Sequence, residues 1–241
     1  MKALTILNLL LLVALAYLFF TQPGFDENQI FGELRAERLT IVGADGHQYI
    51  VISNPDRQAI ATQNHVPIDP KETPRDMSGI LFFNRTGDEI GGIFYDGTDS
   101  TSAQGITFDQ MNNDQVMAIM KDEYYEDEEL RRWYGMFFRE RSDETRRDIF
   151  IRDFLAKLKT IEDEDEKAAF RAAATKQLNE EIDTYRLFLG REENEEVGLF
   201  LYDSKGRERI KLYVDAEDRA RLTVLDSLGN AREFAESEQG K

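Results

Sequence analysis

Apolar and polar residues alternate along several short segments of the chain, and these segments come in pairs. Each pair is separated by a short turn that contains glycine, as in residues 39–53, 79–95, 197–214 and 221–234. An alternation with a period of two puts one side of a β-strand against a core and the other in water. Glycine can adopt the positive φ that tight turns need. The pattern therefore predicts four β-hairpins, with turns at Gly46, Gly87, Gly206 and Gly229.

A weaker alternation continues this pattern in the middle of the chain. Residues 105–110 and 116–121 flank a turn-forming Asn-Asn-Asp sequence, and residues 133–139 follow across an acidic stretch, 122–129, that we expect to be a loop. Residues 185–190 form a further strand-like segment. This gives ten or eleven strands. Because consecutive strands usually lie side by side, the predicted topology is an antiparallel meander.

The period changes between residues 142 and 183, where apolar residues recur every three or four positions. The two sets are Ile151, Leu155, Leu158 and Ile161, and then Phe170, Ala174, Leu178 and Ile182. That spacing is typical of amphipathic helices. Residues 160–163 have the composition of a helix N-cap, and the carboxylates of 162–166 suit the positive end of the helix that follows. We therefore predict a two-helix insertion at about 142–183 that covers a face or an edge of the sheet.

An apolar run of 18 residues, interrupted by Asn8, occupies residues 3–20. As a helix it would span about 27 Å, close to the ~30 Å hydrocarbon core of a membrane. Lys2 precedes the run, whereas Asp26 and Glu27 follow it, so the positive-inside rule predicts a cytoplasmic N-terminus. The sequence thus predicts a signal anchor or transmembrane helix in residues 1–24 of a single-pass membrane protein. Residues 25–241 would then form a periplasmic or extracellular β-rich domain.

A cleaved signal peptide is the alternative interpretation of the same run. Residues 14–16, Ala-Leu-Ala, form a small-x-small sequence, and cleavage there would give a secreted protein. However, the run continues through Tyr17, Phe19 and Phe20, and aromatic side chains suit the lipid–water interface at the end of a span. The aromatic residues favour the uncleaved anchor.

The composition narrows the class of protein that the chain can be. Hydrophobic residues make up 41% of the chain and include 16 phenylalanines, which favours a folded body. The chain has no cysteine, so disulfides, thiolate metal sites and cysteine nucleophiles are excluded. The formal net charge of −17 repels phosphate backbones, so we expect no nucleic-acid partner.

Several of these segments resemble an uncharacterised group of bacterial signal-anchored or secreted proteins with repeated β-hairpins. The resemblance rests on residues 35–46 continuing to 51–54, on 79–84 with 91–94, and on 225–229. It implies a bacterial origin. It implies no activity and no site residues.

No catalytic residue or cofactor site can be assigned from the sequence. His47 and His65 lack the spacing of a zinc site, and His47 follows a turn glycine, which predicts an exposed turn residue. Nucleophile elbows, phosphate loops and dinucleotide fingerprints are absent from the sequence. Gly91 and Gly92 are better explained by a bulge or a close approach of strands than by phosphate binding.

The acidic stretch 122–129 offers one alternative site. Asp122, Glu126 and Asp127 could hold a weakly bound calcium ion, but they lack the spaced Asp-x-Asp-x-Asp-Gly order of calcium loops. A solvated acidic loop is the favoured interpretation, so we predict no metal site. Paired carboxylates could also serve a glycosidase, although the sequence does not give their separation.

Two further segments bear on binding. The aromatic residues between 124 and 138 could form a binding patch, but we expect most of them to fill the core. Residues 54–73, with three prolines, are the best candidate for a long loop.

The leading hypothesis is a membrane-anchored extracytoplasmic β-domain that binds a protein or an envelope component, or has a structural role, and that is not an enzyme. The alternative is an envelope glycan hydrolase that uses carboxylates. A hydrolase should bring two carboxylates together in a deep pocket, whereas a binding module should expose an apolar or aromatic patch.

Overall fold

A computed structural model describes residues 10–15, 17, 30–63, 66–67, 76–145 and 147–235. The chain divides into two compact units, residues 1–36 and 37–241. In the first unit, residues 10–15 and 17 are helical, whereas most of the predicted membrane segment, 3–20, lies outside the described residues. Within the described part of the chain, no helix has both the length and the apolar character needed to cross a membrane.

The second unit is mainly β-structure. Its strands are β1 (Arg38–Val42), β2 (Gln48–Ser53), β3 (Thr62–Gln63), β4 (Val66–Pro67), β5 (Ser78–Phe83), β6 (Glu89–Gly97), β7 (Thr101–Asp109), β8 (Gln115–Glu126), β9 (Glu129–Arg141), β10 (Asp183–Arg191), β11 (Val197–Tyr202), β12 (Glu208–Val214), β13 (Ala220–Leu225) and β14 (Ala231–Ala235). Twelve of them form one antiparallel sheet in the order β1-β2-β5-β6-β7-β8-β9-β10-β11-β12-β13-β14, while β3 pairs with β4. The predicted antiparallel meander is therefore confirmed, with more strands than predicted.

Seven hairpin turns share one hydrogen-bond pattern, starting at residues 43, 84, 110, 192, 203, 215 and 226. The first residue donates its N–H to the carbonyl oxygen of the fifth, and the fourth donates back to the carbonyl of the first. The fourth residue has positive φ in six of these turns, being Gly46, Gly87, Glu195, Gly206, Asp218 or Gly229, whereas the turn at residue 110 has positive φ at its third residue, Asn112. The four turn glycines that the sequence predicts are thus confirmed.

Two consecutive turns in the C-terminal half repeat an Asp-x-x-x-Arg-x-Arg sequence, at residues 203–209 and 215–221. Oδ1 of Asp203 and of Asp215 accepts the backbone N–H groups of the third and fifth residues of its turn. Oδ2 accepts Nε–H from both arginines of the same turn. One carboxylate therefore organises each turn and ties it to the following strand.

The register of the sheet defines its two faces. One row of directly opposed residues runs through Thr40, Val51, Leu81, Gly92, Thr107, Ala118, Phe137, Phe188, Phe200, Lys211, Thr223 and Glu233. We call the face that carries this row the covered face, and the opposite face the open face. Because side chains alternate along a strand, every buried apolar residue in the described strands falls on the covered face.

Two buried clusters lie on the covered face. Val51, Leu81 and Phe83 pack with Ala59, which belongs to the segment between β2 and β5. Ala118, Phe137, Phe188 and Phe200 form the second cluster across β8–β11. Residues 54–73, predicted as a long loop, contain a 3-10 helix (Pro55–Arg57) and the β3–β4 pair, so the described part of this segment is a cover over the first cluster.

The helical insertion lies between β9 and β10, as predicted. It comprises α1 (Arg147–Leu158), α2 (Glu164–Gln177) and a π-helical turn (Leu178–Ile182). Asp163 caps α2 by accepting the N–H of Glu166 at 2.8 Å, and the rings of Phe154 and Phe170 stack at 5.5 Å. The main contact with the sheet is made by the π-helical turn on β10 and β9. Of the two predicted positions, a face or an edge of the sheet, the edge is excluded, because the two edges are β1 and β14.

The acidic stretch 122–129 is not the loop that the sequence predicts. β8 continues to Glu126 and β9 starts at Glu129, so Asp127 and Glu128 alone form the turn, both with positive φ. Basic neighbours offset the acidic charges. Glu123 pairs with Lys121 and Arg132, each at 2.6 Å, and Arg131 pairs with both Glu126 and Glu129.

Candidate binding cleft

An aromatic cleft of about 420 Å³ opens on the covered face over β9, β10 and β11. Its lining residues are Trp133, Phe137, Asn179, Asp183, Tyr185, Phe188, Glu192, Glu193, Tyr202 and Gly206. The strands supply the floor, while the π-helical turn and the turn at residues 203–207 border it. Three of the lining residues are carboxylates, and none is Lys or Arg.

Three glycines that lie side by side on neighbouring strands form part of the floor of the cleft. Gly135, Gly190 and Gly198 lie opposite one another in β9, β10 and β11. A Cβ atom on Gly135 would lie 2.5 Å from the ring of Phe188, and one on Gly190 would lie 2.9 Å from it. The ring of Phe188 therefore lies over two positions at which any side chain would force the ring to move. The row of glycines hollows the surface between strands.

Aromatic rings in the cleft already hold a cation. The guanidinium carbon of Arg139 lies 4.1 Å from the ring centroid of Tyr185 and 4.6 Å from that of Phe137. These distances are typical of cation–π contacts. A second example lies nearby, where Lys211 Nζ is 4.7 Å from the ring of Tyr213. This surface is therefore suited to stacking a positive group on an aromatic ring.

Asp183 lies at one end of the cleft among three arginines. Its Oδ2 contacts Arg139 Nη1 at 2.9 Å, Arg141 Nη1 at 2.7 Å and Arg147 Nε at 3.0 Å. Asp114 adds a second negative charge, 3.7 Å from Arg141. Burial lowers the pKa of Arg141, and the two carboxylates oppose that shift. The arginines thus counter the charge of a side chain that is 7% exposed.

The second carboxylate oxygen of Asp183 has no such contact. Oδ1 is buried and has no hydrogen-bond partner among the described residues. A buried acceptor without a partner costs free energy, so a ligand that brings an N–H or O–H donor there would be favoured. Because three guanidiniums already balance the charge of Asp183, a neutral donor such as a backbone amide is sufficient.

Glu192 and Glu193 lie at the other end of the cleft. Burial raises the pKa of Glu192, Lys211 opposes that shift, and Glu208 and Glu196 add to it. Glu193 accepts a hydrogen bond from the hydroxyl group of Tyr124 at 3.0 Å. Burial also raises the pKa of Tyr202, whose ring lies 6.0 Å from that of Tyr185. This end lacks the cluster of arginines that surrounds Asp183, so it can accept a positive charge.

The structure does not bring together the three residues of the alternative calcium site. Asp122 and Glu126 are both in β8, four residues and thus about 13 Å apart along the strand, and Asp127 is in the turn. Among the described residues, no group of three or more His, Asp or Glu side chains is arranged to hold a metal ion.

Other predicted positions have mixed outcomes. His47 lies in the β1–β2 turn as predicted and donates its N–H to Asp45, whereas His65 lies outside the described residues. The predicted close approach at Gly91 and Gly92 is confirmed, since a Cβ on either would lie within 2.5 Å of a backbone oxygen.

The aromatic residues of the middle segment divide between the two faces. Trp133 and Phe137 line the cleft, while Tyr125 and Tyr134 are exposed on the open face. The prediction that most of these residues fill the core is therefore wrong for the exposed tyrosines. Alternation along the strands separates them, because neighbouring residues point to opposite faces.

Sequence reasoning missed Asp183, Glu192 and Glu193 as a set. Asp183 is the first residue of β10 and Glu192 is the residue after its end, so neither belongs to a motif. The pairing of Asp183 with Arg141 would have pointed to the site. That pairing depends on the register of β9 and β10, which the helical insertion separates along the chain.

Comparison of the chain with protein-family models, curated proteins and solved structures gives no match.

Proposed function

We propose that the unit of residues 37–241 is a binding module whose cleft takes an extended, basic segment of a protein partner. The observation that carries this proposal is the lining of the cleft, which combines five aromatic side chains with three carboxylates and has no basic residue. Aromatic rings and carboxylates together recognise a Lys or Arg side chain, by cation–π contact and by ion pairing.

The two ends of the cleft suit two different parts of such a segment. Glu192 and Glu193 provide negative charge for the basic side chain. Asp183 lines the other end, where a backbone N–H that reaches the buried Oδ1 would supply its missing hydrogen bond. Asp183 and Glu192 begin and follow β10, nine residues apart, which corresponds to about 30 Å of strand. The cleft therefore favours an extended ligand.

The same spacing weighs against the hydrolase alternative. Glycosidases place their two carboxyl groups roughly 5–10 Å apart, on either side of the bond that they cleave. Asp183 and Glu192 are too far apart along β10 to share one glycosidic bond. In addition, Oδ2 of Asp183 is occupied by arginines, which leaves it poorly placed to donate or accept a proton.

Trp133 gives a direct test of binding, because it is the one tryptophan of the sequence and lines the cleft. The probe is a short peptide with a central lysine, compared with the same peptide acetylated on that lysine. We expect the charged peptide to shift Trp133 fluorescence and to bind at least tenfold more tightly than the acetylated one. Equal affinities would contradict recognition of a basic group.

Two conservative variants locate the site. Glu192→Gln should weaken binding of the lysine peptide by about tenfold, in line with the loss of a charge-assisted contact. Glu195→Gln is the matched control, because Glu195 lies in the same turn but outside the cleft, and it should bind as the wild type does. Turnover of a glycan panel that depends on Glu192 would instead support the hydrolase.

The pH dependence of binding follows from the raised pKa of Glu192. A bound cation favours the ionised carboxylate, so binding should release a proton and tighten as pH rises through that pKa. In Glu192→Gln this part of the pH dependence should be absent. Affinity that falls with rising pH over the acidic range would contradict the assignment.

We propose that residues 3–20 anchor the chain in a membrane, with the N-terminus in the cytoplasm and residues 25–241 outside. The length and apolar character of the run support this proposal. The full chain should fractionate with membranes and resist extraction by carbonate. Recovery of a soluble form that starts near Tyr17 would show that the segment is a cleaved signal peptide instead.

A further inference from the structure

The open face of the sheet carries an unbroken row of apolar side chains. In register from β1 to β14, the row is Leu39, Ile52, Ile80, Ile93, Ile106, Ile119, Met136, Leu189, Leu199, Leu212, Leu222 and Phe234. A second row lies beside the first on the same face, two residues away from it on every strand. It is Ile41, Ile50, Phe82, Gly91, Phe108, Met117, Phe138, Leu187, Leu201, Ile210, Val224 and Arg232. Arg232, in the edge strand, is the one ionisable residue in these two rows.

These side chains are exposed or half-buried, in contrast to the buried side chains of the covered face. Ile119 is 53% exposed and Leu212 is 55% exposed, whereas Ala118 and Phe200 on the covered face are fully buried. Gly91, which has no side chain, is the one buried residue in the two rows. A sheet normally packs its apolar face against a second layer. Within the described part of residues 37–241, no element covers either row.

The size of this surface suits a protein interface. Eleven strand spacings of about 4.8 Å make the rows about 53 Å long, and two rows form a band about 13 Å wide. The area is therefore about 700 Å². That exceeds the usual largest apolar patch of a monomer, about 300–600 Å², and approaches the ~800 Å² that each partner contributes to a stable interface.

The charges around the rows favour a second copy of this chain over a lipid surface. The formal charge of −17 repels anionic lipid. In contrast, the rows themselves are almost uncharged, so two copies can meet there while their acidic groups stay at the rim in water. An apolar surface of this kind is complementary to itself, since aliphatic side chains of two sheets interdigitate about 10 Å apart.

The flanks of the rows also select an orientation. Tyr134, with Lys121 and Arg191 opposite it in register, follows the first row on one side, and Glu140 follows the second row on the other. Within one copy these three charges pair with Glu123, Glu195 and Arg186, respectively. A two-fold axis parallel to the rows brings Glu140 of one copy over Lys121 and Arg191 of the other.

We propose that the open face is the interface of a symmetric homodimer in which two copies of the sheet pack face to face. The two-fold axis runs parallel to the rows. Each strand of one copy therefore lies over the same strand of the other copy and runs in the opposite direction. This arrangement is isologous, as closed two-fold dimers require. It leaves the cleft on the covered face of each copy accessible.

Cross-linking of single cysteines tests the proposal, because the natural chain has none. Ile119→Cys lies near the middle of the first row, and Asp96→Cys is the control, since Asp96 is exposed on the covered face. We expect a short bis-maleimide to give a covalent dimer of the full chain with Ile119→Cys and at least tenfold less with Asp96→Cys. Equal cross-linking of the two variants would overturn the proposal.

A second variant separates the interface from the fold. Ile119→Lys adds a charge to an exposed position of the monomer, so circular dichroism should be unchanged. In the dimer the charge would be buried, and sedimentation should show dimerisation weakened by roughly a hundredfold. Unchanged dimerisation would overturn the proposal. So would a monomeric wild type, or a fluorophore on Ile119→Cys that enters an apolar environment only when neutral lipid vesicles are added.

Discussion

Asp215 shows how much of a hairpin can depend on one carboxylate. Burial opposes its ionisation, but the backbone N–H of Arg219, the side chains of Arg221 and Arg219 and the backbone N–H of Glu217 all favour it, and the pKa falls to about 2. Asp203 has the same set of donors and its pKa is also lowered. Each of these two carboxylates thus accepts two backbone N–H groups and binds two arginine side chains.

The lowered pKa of Asp215 predicts a specific loss of stability in acid. Its contribution is present above the ordinary pKa of aspartate, near 3.9, and is lost as pH falls toward about 2. In Asp215→Asn the backbone contacts can persist, but the ion pairs with Arg219 and Arg221 cannot. The melting temperature of the variant should lie below that of the wild type at pH 7, and the gap should close toward pH 2. A gap that stays constant would contradict this account.

The glycine row predicts a different kind of effect at Gly135. In Gly135→Ala the new methyl group would overlap the ring of Phe188, so the ring must move into the cleft. We expect a loss of about 1–3 kcal/mol in stability, as for other overpacked sites, together with weaker peptide binding. Gly32→Ala is the control, because a Cβ there meets nothing within 4 Å. Equal melting temperatures for the two variants would contradict the packing of Phe188 on Gly135.

At the scale of elements, the helical insertion is attached to the sheet without interrupting it. Arg141 and Asp183 are opposite each other in register, and Ser142 donates its N–H to the carbonyl of Ile182 at 3.0 Å. The two strands therefore meet where the insertion leaves them. Replacing residues 143–181 with Asn-Gly should remove the helical signal in circular dichroism but leave a cooperatively unfolding sheet. Loss of cooperative unfolding would show that the helices are needed for the pairing of β9 with β10.

The elements also show where sequence reasoning succeeds. Hairpins with an apolar alternation and a turn glycine, such as β11–β12 around Gly206, are predictable because both signals are local. The end of β8 was missed because Glu123 and Glu126 hide the alternation, and their partners Arg132 and Arg131 lie on the next strand. A charged strand end can be recognised only once its cross-strand partners are known.

The cleft could not be predicted from the sequence for the same reason. Asp183 meets Arg139 and Arg141 across a long insertion, and the hollow over Gly135 and Gly190 exists only when β9 and β10 are in register. The sequence contains these residues but not their pairing. The topology of the sheet could be predicted from the order of the strands along the chain, whereas the cleft could be found only with the register of β9 and β10 known.

At the scale of the whole molecule, the acidic charge should make stability depend on salt. Self-repulsion among charges that sum to −17 is screened by sodium chloride, so the melting temperature should rise with ionic strength. Calcium at matched ionic strength should give the same rise, because Asp122, Glu126 and Asp127 do not converge. A further increase specific to calcium, abolished when these three residues become amides, would establish a metal site at the β8–β9 turn.

The linear strand order has a consequence for how the chain reaches its fold. All but two of the pairings in the large sheet join strands that follow each other directly along the chain; the exceptions are β2 with β5 and β9 with β10. Most native contacts therefore close short loops, and chains with such local contacts fold fast for their size. Assembly can start at any hairpin and spread outward, and it should pause where β10 has to find β9 beyond the helices. The slowest step in refolding is thus expected at the pairing that builds the cleft.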